Sequence, residues 1–253
     1  MEPVLSFHSV SFSYHSIKGE TPAVANLSFS VNPGEFTVLI GPSGCGKSTL
    51  LSLACGLLKP EAGSVCLNSE KIQIGYMFQR DHLFEWQTLY QNVMLGPKLH
   101  HRETPEVVRR VKQMIELYGL KDFAESPPSA LSGGMRQRAA LIRTLAVEPG
   151  LLILDEPFSA LDYQTRLEVA DDITAIIRQS GKTVLMVTHD LSEAVSIADR
   201  ILILSQRPCT LKADVPIQFP DQIVRPALRR QNPYFSQMFH LVWKELKNEH
   251  GNS

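Results

Sequence analysis

Long apolar runs are missing from this 253-residue chain; none approaches the roughly 20 consecutive apolar residues that cross a bilayer. A membrane role would therefore have to come through a partner. An excess of one charge is missing too. Lys and Arg number 25 against 26 Asp and Glu, a formal net charge of −1, so no positive surplus exists to neutralise phosphates and no nucleic-acid partner is expected. Cysteine is sparse: Cys45, Cys55, Cys66 and Cys209 include no CxxC pair and read as reduced thiols, not as a disulfide framework or a zinc site. The histidines are scattered, and the neighbours His100 and His101 diverge on a helix, so a metal site built from protein ligands alone is not expected. The start, Met1-Glu2-Pro3, lacks a basic stretch followed by an apolar one, which gives the expectation of a cytosolic chain. Apolar residues, by contrast, make up 43% of the sequence; with so little net charge this excludes disorder, and the length suits one or two domains.

Leu27, Phe29 and Val31 alternate as in a half-buried strand, which Asn32-Pro33-Gly34 ends with a turn. Residues 36–40 form a short unbroken apolar run, the pattern of a strand buried on both faces. Similar runs lie at 74–78, 151–154, 183–187 and 201–204, and helices are expected over 47–57, 105–118, 133–146 and 162–179. The β-α alternation predicts an α/β fold with a mostly parallel sheet covered by helices. Residues 80–145 carry helical patterns and Pro127-Pro128 but no strand, which predicts a helical subdomain inserted into a main domain of residues 1–206. Over 207–253, prolines at 208, 216, 220, 226 and 233 predict a meander with little regular structure. A final amphipathic helix, with Phe235, Met238, Phe239, Val242, Trp243 and Leu246 on one face, is expected to pack on the same domain.

Gly41-Pro42-Ser43-Gly44-Cys45-Gly46-Lys47-Ser48-Thr49 fits GxxxxGK[ST] between a strand and a helix. Glycines let successive backbone N–H groups converge on phosphates, and the helix N-terminus adds partial positive charge. Lys47 is expected at the β- and γ-phosphates of ATP and the Ser48 hydroxyl on Mg²⁺. Cys45, beside a lysine and a helix N-terminus, is expected to have a lowered pKa, so that its alkylation inactivates the protein and ATP protects it.

The apolar run 151–154 ends in Asp155-Glu156-Pro157. Adjacent strand residues point to opposite sides, which assigns the carboxylates different tasks: Asp155 to Mg²⁺, and Glu156, held extended by Pro157, to the attacking water as general base. His189 follows the run 183–187 and is expected to contact the γ-phosphate.

Leu131-Ser132-Gly133-Gly134-Met135 resembles the LSGGQ signature of the ATP-binding-cassette (ABC) ATPases, with Met135 in place of the usual Gln. The phosphate loop, acidic strand end and histidine then resemble that family's Walker A, Walker B and H-loop. Gln79 resembles the Q-loop glutamine, Ser159-Ala160-Leu161-Asp162 the D-loop, and Tyr14 the aromatic residue that stacks on adenine, with Phe12 on the same strand face as its alternative. The resemblance covers residues 4–206 and implies an ABC cassette: a mostly parallel core, an N-terminal antiparallel β part and the inserted helical subdomain. It implies ATP hydrolysis to ADP and phosphate, with Gln79 joining Ser48 and Asp155 on Mg²⁺. It also implies a head-to-tail homodimer in which Ser132 and its neighbours complete the partner copy's ATP site.

The segment Gln79-Arg80-Asp81-His82-Leu83-Phe84-Glu85-Trp86-Gln87-Thr88 resembles that of nitrate, sulfonate and taurine importer ATPases, a group that includes thiamine-precursor importers. Glu85 stands where proline usually precedes the tryptophan. By this resemblance the segment contacts two permease subunits, an extracytoplasmic solute-binding protein delivers the cargo, and the chain works at the cytoplasmic face of the inner membrane. An exporter ATPase and an ATP-driven clamp on a soluble partner are the alternative readings.

Overall fold

The computed structural model describes residues 2–17, 19–69, 72–220 and 225–247. The chain forms two compact units, one built from the residues up to Ile72 and from Thr174 onward, the other from Gln73–Ile173.

In the first unit, β1 (Leu5–Ser16) lies between β2 (Gly19–Val31) and β4 (Ala62–Leu67) in an antiparallel sheet. Beside it, β3 (Phe36–Ile40) pairs in parallel with β7 (Thr183–Val187) and β8 (Arg200–Leu204). Every residue of β3 and β7 is buried, as expected of apolar runs covered on both faces. Helix α1 (Lys47–Ala54) follows β3, and it is three residues shorter than the apolar pattern predicted. Helix α6 (Leu191–Ile197) follows β7.

The stretch after Ser205 is more regular than its prolines predicted. Leu211–Pro216 forms β9, antiparallel to β8, and Pro226–Gln231 forms helix α7. Proline is compatible with both: Pro216 closes an edge strand, and Pro226 opens a helix where an N–H would have no partner anyway. Arg229 of α7 donates to the Ala198 carbonyl at 2.6 Å and stacks over the Phe219 ring. Helix α8 (Pro233–Lys247) packs against α6, β8 and β9 through Val242, but Trp243 turns outward beneath the Lys247 ammonium and does not join the inner face. Residues 221–224 and 248–253, part of the predicted C-terminal segment, lie outside the described residues.

In the second unit, β5 (Ile74–Met77) and β6 (Leu151–Asp155) pair in parallel. The strand predicted at 74–78 stops at Met77, leaving Phe78 exposed. Between the strands run α2 (Leu89–Leu99), α3 (Pro105–Leu117) and α4 (Gly133–Leu145), and α5 (Tyr163–Gln179) follows β6. Helix α2 starts at a capping box: Thr88 Oγ1 accepts from Gln91 N, and the Gln91 side chain accepts from Thr88 N.

Candidate active site

In the first unit, the register pairs Leu39 with Val187, so residues 41–49 and His189 both leave from the C-terminal ends of adjacent parallel strands. Ligands of open α/β sheets bind at such strand ends. Gly46 caps α1 with φ +123°, a conformation closed to side chains; a Cβ there would stand 3.0 Å from the Ala23 carbonyl oxygen. The Lys47 side chain folds back over its own loop and donates to the Gly41 and Pro42 carbonyls at 2.8 and 2.9 Å. This ammonium is thus held against its own loop. Ser43, Gly44 and Ser48 are exposed, whereas Cys45, Lys47 and Thr49 are buried.

Tyr14 is 44% exposed, and its Oη lies 3.1 Å from Thr49 Oγ1, which ties this aromatic to the end of the phosphate loop. Phe12 meets the Tyr14 ring edge-on at 5.0 Å and is the less exposed of the two. His189 is exposed, on a turn fixed from below. There Thr188 donates to the buried Glu193 carboxylate and accepts from Asp190 N, while Asp190 caps α6.

Cys45 has a partner that the sequence did not reveal. Its thiol is 1% exposed and hydrogen-bonded with Cys209, which is fully buried behind Gly46. That hydrogen bond, against burial and with the charge of Lys47 adding to it, brings the Cys45 pKa down to about 7. The expected lowering is therefore present, but its largest cause is Cys209.

In the second unit, the parallel pairing of Met77 with Leu154 sets Gln79 and Glu156 side by side. Gln79 Nε2 donates to Glu156 Oε2 at 3.3 Å and to Ser159 Oγ at 3.1 Å, and Tyr76 Oη donates to Asp155 Oδ2 at 3.0 Å. The expectation that Pro157 holds Glu156 extended fails: Glu156 has φ +44°. Its carbonyl accepts from both the N–H and the hydroxyl of Ser159, and buried Gln137 donates to the Pro157 carbonyl. This local turn outweighs the bias of a pre-proline residue toward extended backbone, and such strain gathers at functional sites. Asp162 does not join the carboxylates; it caps α5, and its hydrogen bonds with Thr165 hold its carboxyl below the usual range.

Ser132 caps α4, its Oγ accepting from Met135 N at 3.3 Å. Oγ acceptance leaves the hydroxyl proton for an outside acceptor. Gly133 and Gly134 are closely packed: a Cβ would meet Leu161 at 3.2 Å at the first, and Thr165 and Val169 at 3.1 Å at the second. Leu131 is buried and Met135 half-buried.

Residues 79–88 form a strap that sequence reading saw only as a surface. Buried Asn92 of α2 accepts from Phe84 N at 2.7 Å and donates to the Phe84 and Thr88 carbonyls. Arg136 of α4 forks onto Asp81 at 2.9 and 3.0 Å, and Arg143 donates to the Asp81 and His82 carbonyls. Burial works to raise the Asp81 carboxyl, but Arg136 outweighs it and holds the group below the usual carboxylate range. The seven-residue spacing of Arg136 and Arg143, which sets them on one helix face, was the available signal.

A glycine loop that opens a helix and ends in lysine and serine suits phosphate, and following a buried parallel strand it marks a phosphate-loop nucleotide-binding protein. Within that class the chain belongs to the ABC transporter family, whose profile matches residues 24–159. It is 42% identical over 244 residues to the "Uncharacterized ABC transporter ATP-binding protein YtlC" of Bacillus subtilis (strain 168), covering 94% of each chain. It is 34% identical over 227 residues to the "Taurine import ATP-binding protein TauB" of Jannaschia sp. (strain CCS1), covering 87% of this chain and 85% of that one. A solved structure described as a dimeric post-hydrolysis state of the ATP-binding cassette MJ0796 bound to ADP and Pi superposes with TM-score 0.72 at 28% identity, over 85% of this chain and 99% of that one. The protein is an ABC-type ATPase, as the motifs led us to expect. Among the described residues no helix is long and apolar enough to cross a membrane.

Proposed function

We propose that this chain is the ATP-hydrolysing subunit of an importer for a small solute of the nitrate, sulfonate, taurine or thiamine-precursor kind. Two copies pair head to tail beneath two permease subunits at the cytoplasmic face of the inner membrane, and a solute-binding protein delivers the cargo. Relatives described as taurine import ATP-binding proteins, 32–34% identical over most of both chains, support import. The observation that carries the reading is the strap. At one end Gln79 bonds to Glu156 and Ser159, and five residues on the strap presents Phe84 stacked with Trp86, which is 78% exposed. A tryptophan held out to solvent on the strap whose first residue bonds to the Glu156 carboxylate suits docking by a partner.

The chemistry follows from the residues. The loop N–H groups of 41–49 and the Lys47 ammonium bind the β- and γ-phosphates, and Tyr14 stacks on adenine. Ser48, Asp155 and Gln79 offer hydroxyl, carboxylate and amide oxygens, the hard donors that Mg²⁺ takes together with phosphate oxygens, so the donor set fits the ion. When bound, Mg²⁺ neutralises phosphate charge. Glu156 accepts the proton of the attacking water, whose oxygen bonds to the γ-phosphorus as the bond to ADP breaks. Gln79 holds the Glu156 carboxylate in place, and His189 contacts the γ-phosphate. Ser132 with Gly133 and Gly134 donates to the nucleotide of the partner copy.

The test is affinity capture of tagged Glu156→Gln with MgATP from detergent-solubilised host membranes, read by mass spectrometry. Recovery of a multi-span permease is expected. Recovery of soluble proteins alone would overturn the importer reading and favour an ATP-driven clamp.

A further inference from the structure

Glu85, where the importer ATPases that the strap resembles usually have proline, is not a loose surface charge. Its carboxylate accepts from Arg136 Nη2 at 2.7 Å, and the same guanidinium forks onto Asp81. The side chains of Arg136 and Asp81 are 25% and 22% exposed, while Glu85 is 53% exposed. One cation thus bridges an inner and an outer carboxylate of the strap. Fork geometry and partial burial make such a pair stronger than an ordinary surface ion pair. Arg136 also lies in the first turn of α4, where its N–H bonds to the carbonyl of Ser132, the residue that caps the helix. Three short links therefore run from Ser132 through Arg136 and Glu85 to the adjacent Trp86. Next to this clamp is a cavity of about 410 Å³, lined by Gln79, Asp81, Leu83, Gly133 and Arg136, so the strap is not packed solid against α4 on every side.

We propose that Arg136 is a positioning residue that makes the strap and the start of α4 move as one piece, so that nucleotide engagement at Ser132 is reported at the exposed Trp86, which stacks on half-buried Phe84. Glu85 sets how firmly that report is transmitted. The inference rests on the proposed function only in taking a membrane subunit as the reader of the aromatic pair. A coupling of this kind requires an element that both ends bias, and here that element is the clamped strap.

The chain carries two tryptophans, and Trp243 lies on α8 in the other unit. Replacing it (Trp243→Phe) leaves Trp86 as the sole emitter. In this background, with Glu156→Gln to slow hydrolysis, MgATP is titrated into the purified chain while Trp86 emission and dimerisation by light scattering are followed. The parent is expected to show an emission change that tracks dimerisation. Arg136→Met should still bind nucleotide and dimerise but lose at least two thirds of the Trp86 response, and Arg136→Lys should restore about half of it. Glu85→Gln, an exposed change that spares the inner pair, should give an intermediate response with unchanged thermal stability, so the proposal stands testable if Arg136→Met folds poorly. A full Trp86 response in Arg136→Met or Glu85→Gln overturns the proposal, as does a silent Trp86 in a parent that dimerises. No permease is present in the assay, so its failure is separate from a failure of membrane capture.

Discussion

Gly46→Ala is the most informative single perturbation of the phosphate loop. Gly46 sits at φ +123°, and an added Cβ would stand 3.0 Å from the Ala23 carbonyl oxygen and 3.4 Å from Cys209 Cβ. Ala23 itself is fixed, because its carbonyl already accepts from Cys209 N at 2.9 Å, so the obstacle is backbone that cannot swing aside. Holding a side-chain-bearing residue in such a region costs about 1–3 kcal/mol. If the loop instead relaxes to a conformation alanine tolerates, the same energy is lost from the nucleotide-binding geometry, which is about 5- to 150-fold in Kd. Gly44→Ala is the control. Gly44 has φ +74° with nothing within 4 Å of a Cβ, so only a left-handed alanine has to be tolerated, at about 1 kcal/mol or roughly fivefold. ATP affinity by calorimetry in the Glu156→Gln background, together with thermal unfolding, measures both channels. Equal effects of the two variants, or a Gly46→Ala protein with unaltered affinity and melting temperature, would refute the reasoning.

Glu156→Gln should slow phosphate release by about 100- to 10,000-fold, roughly 3–5 kcal/mol of barrier, while ATP still binds; wild-type turnover would remove Glu156 as the base. Asn92→Ala strips partners from the Phe84 N–H and carbonyl, at about 1–3 kcal/mol for each group left unsatisfied, and should lower Tm by about 5–15 °C; a shift under about 2 °C contradicts the staple. Alkylation of Cys45 by iodoacetamide should accelerate as pH rises through about 7, because the thiolate is the nucleophile, and ATP should protect. Cys209→Ala removes the hydrogen bond that favours the thiolate most, so the midpoint should move upward; an unmoved midpoint would leave Lys47 as the cause. Tyr14→Phe keeps a ring but loses the contact to Thr49 and should weaken ATP binding only a few-fold, whereas Tyr14→Ala should cost about 1–3 kcal/mol; a loss seen with Phe12→Ala instead would transfer the stacking role.

The parts of this protein legible from the sequence are those in which a few consecutive residues carry the physics. Residues 41–49 and 131–135 encode backbone conformation and helix caps through glycine, lysine and serine chemistry that acts over one turn. The fully buried strands β3 and β7 announce themselves as unbroken apolar runs. Local patterns failed where a neighbour distant in sequence decided the outcome. Pairing with β8 gave order to Leu211–Pro216 despite the proline that closes it, and Gln137, bonded to the Pro157 carbonyl from another helix, helps fix the turn in which Glu156 leaves the extended conformation that Pro157 favours. Only the tertiary structure joined Cys45 to Cys209, Tyr14 to Thr49, and Arg136 to Asp81 and Glu85. These side chains come from separate elements with no common period, so their pairing depends on strand register and helix packing, which no local run of residues records.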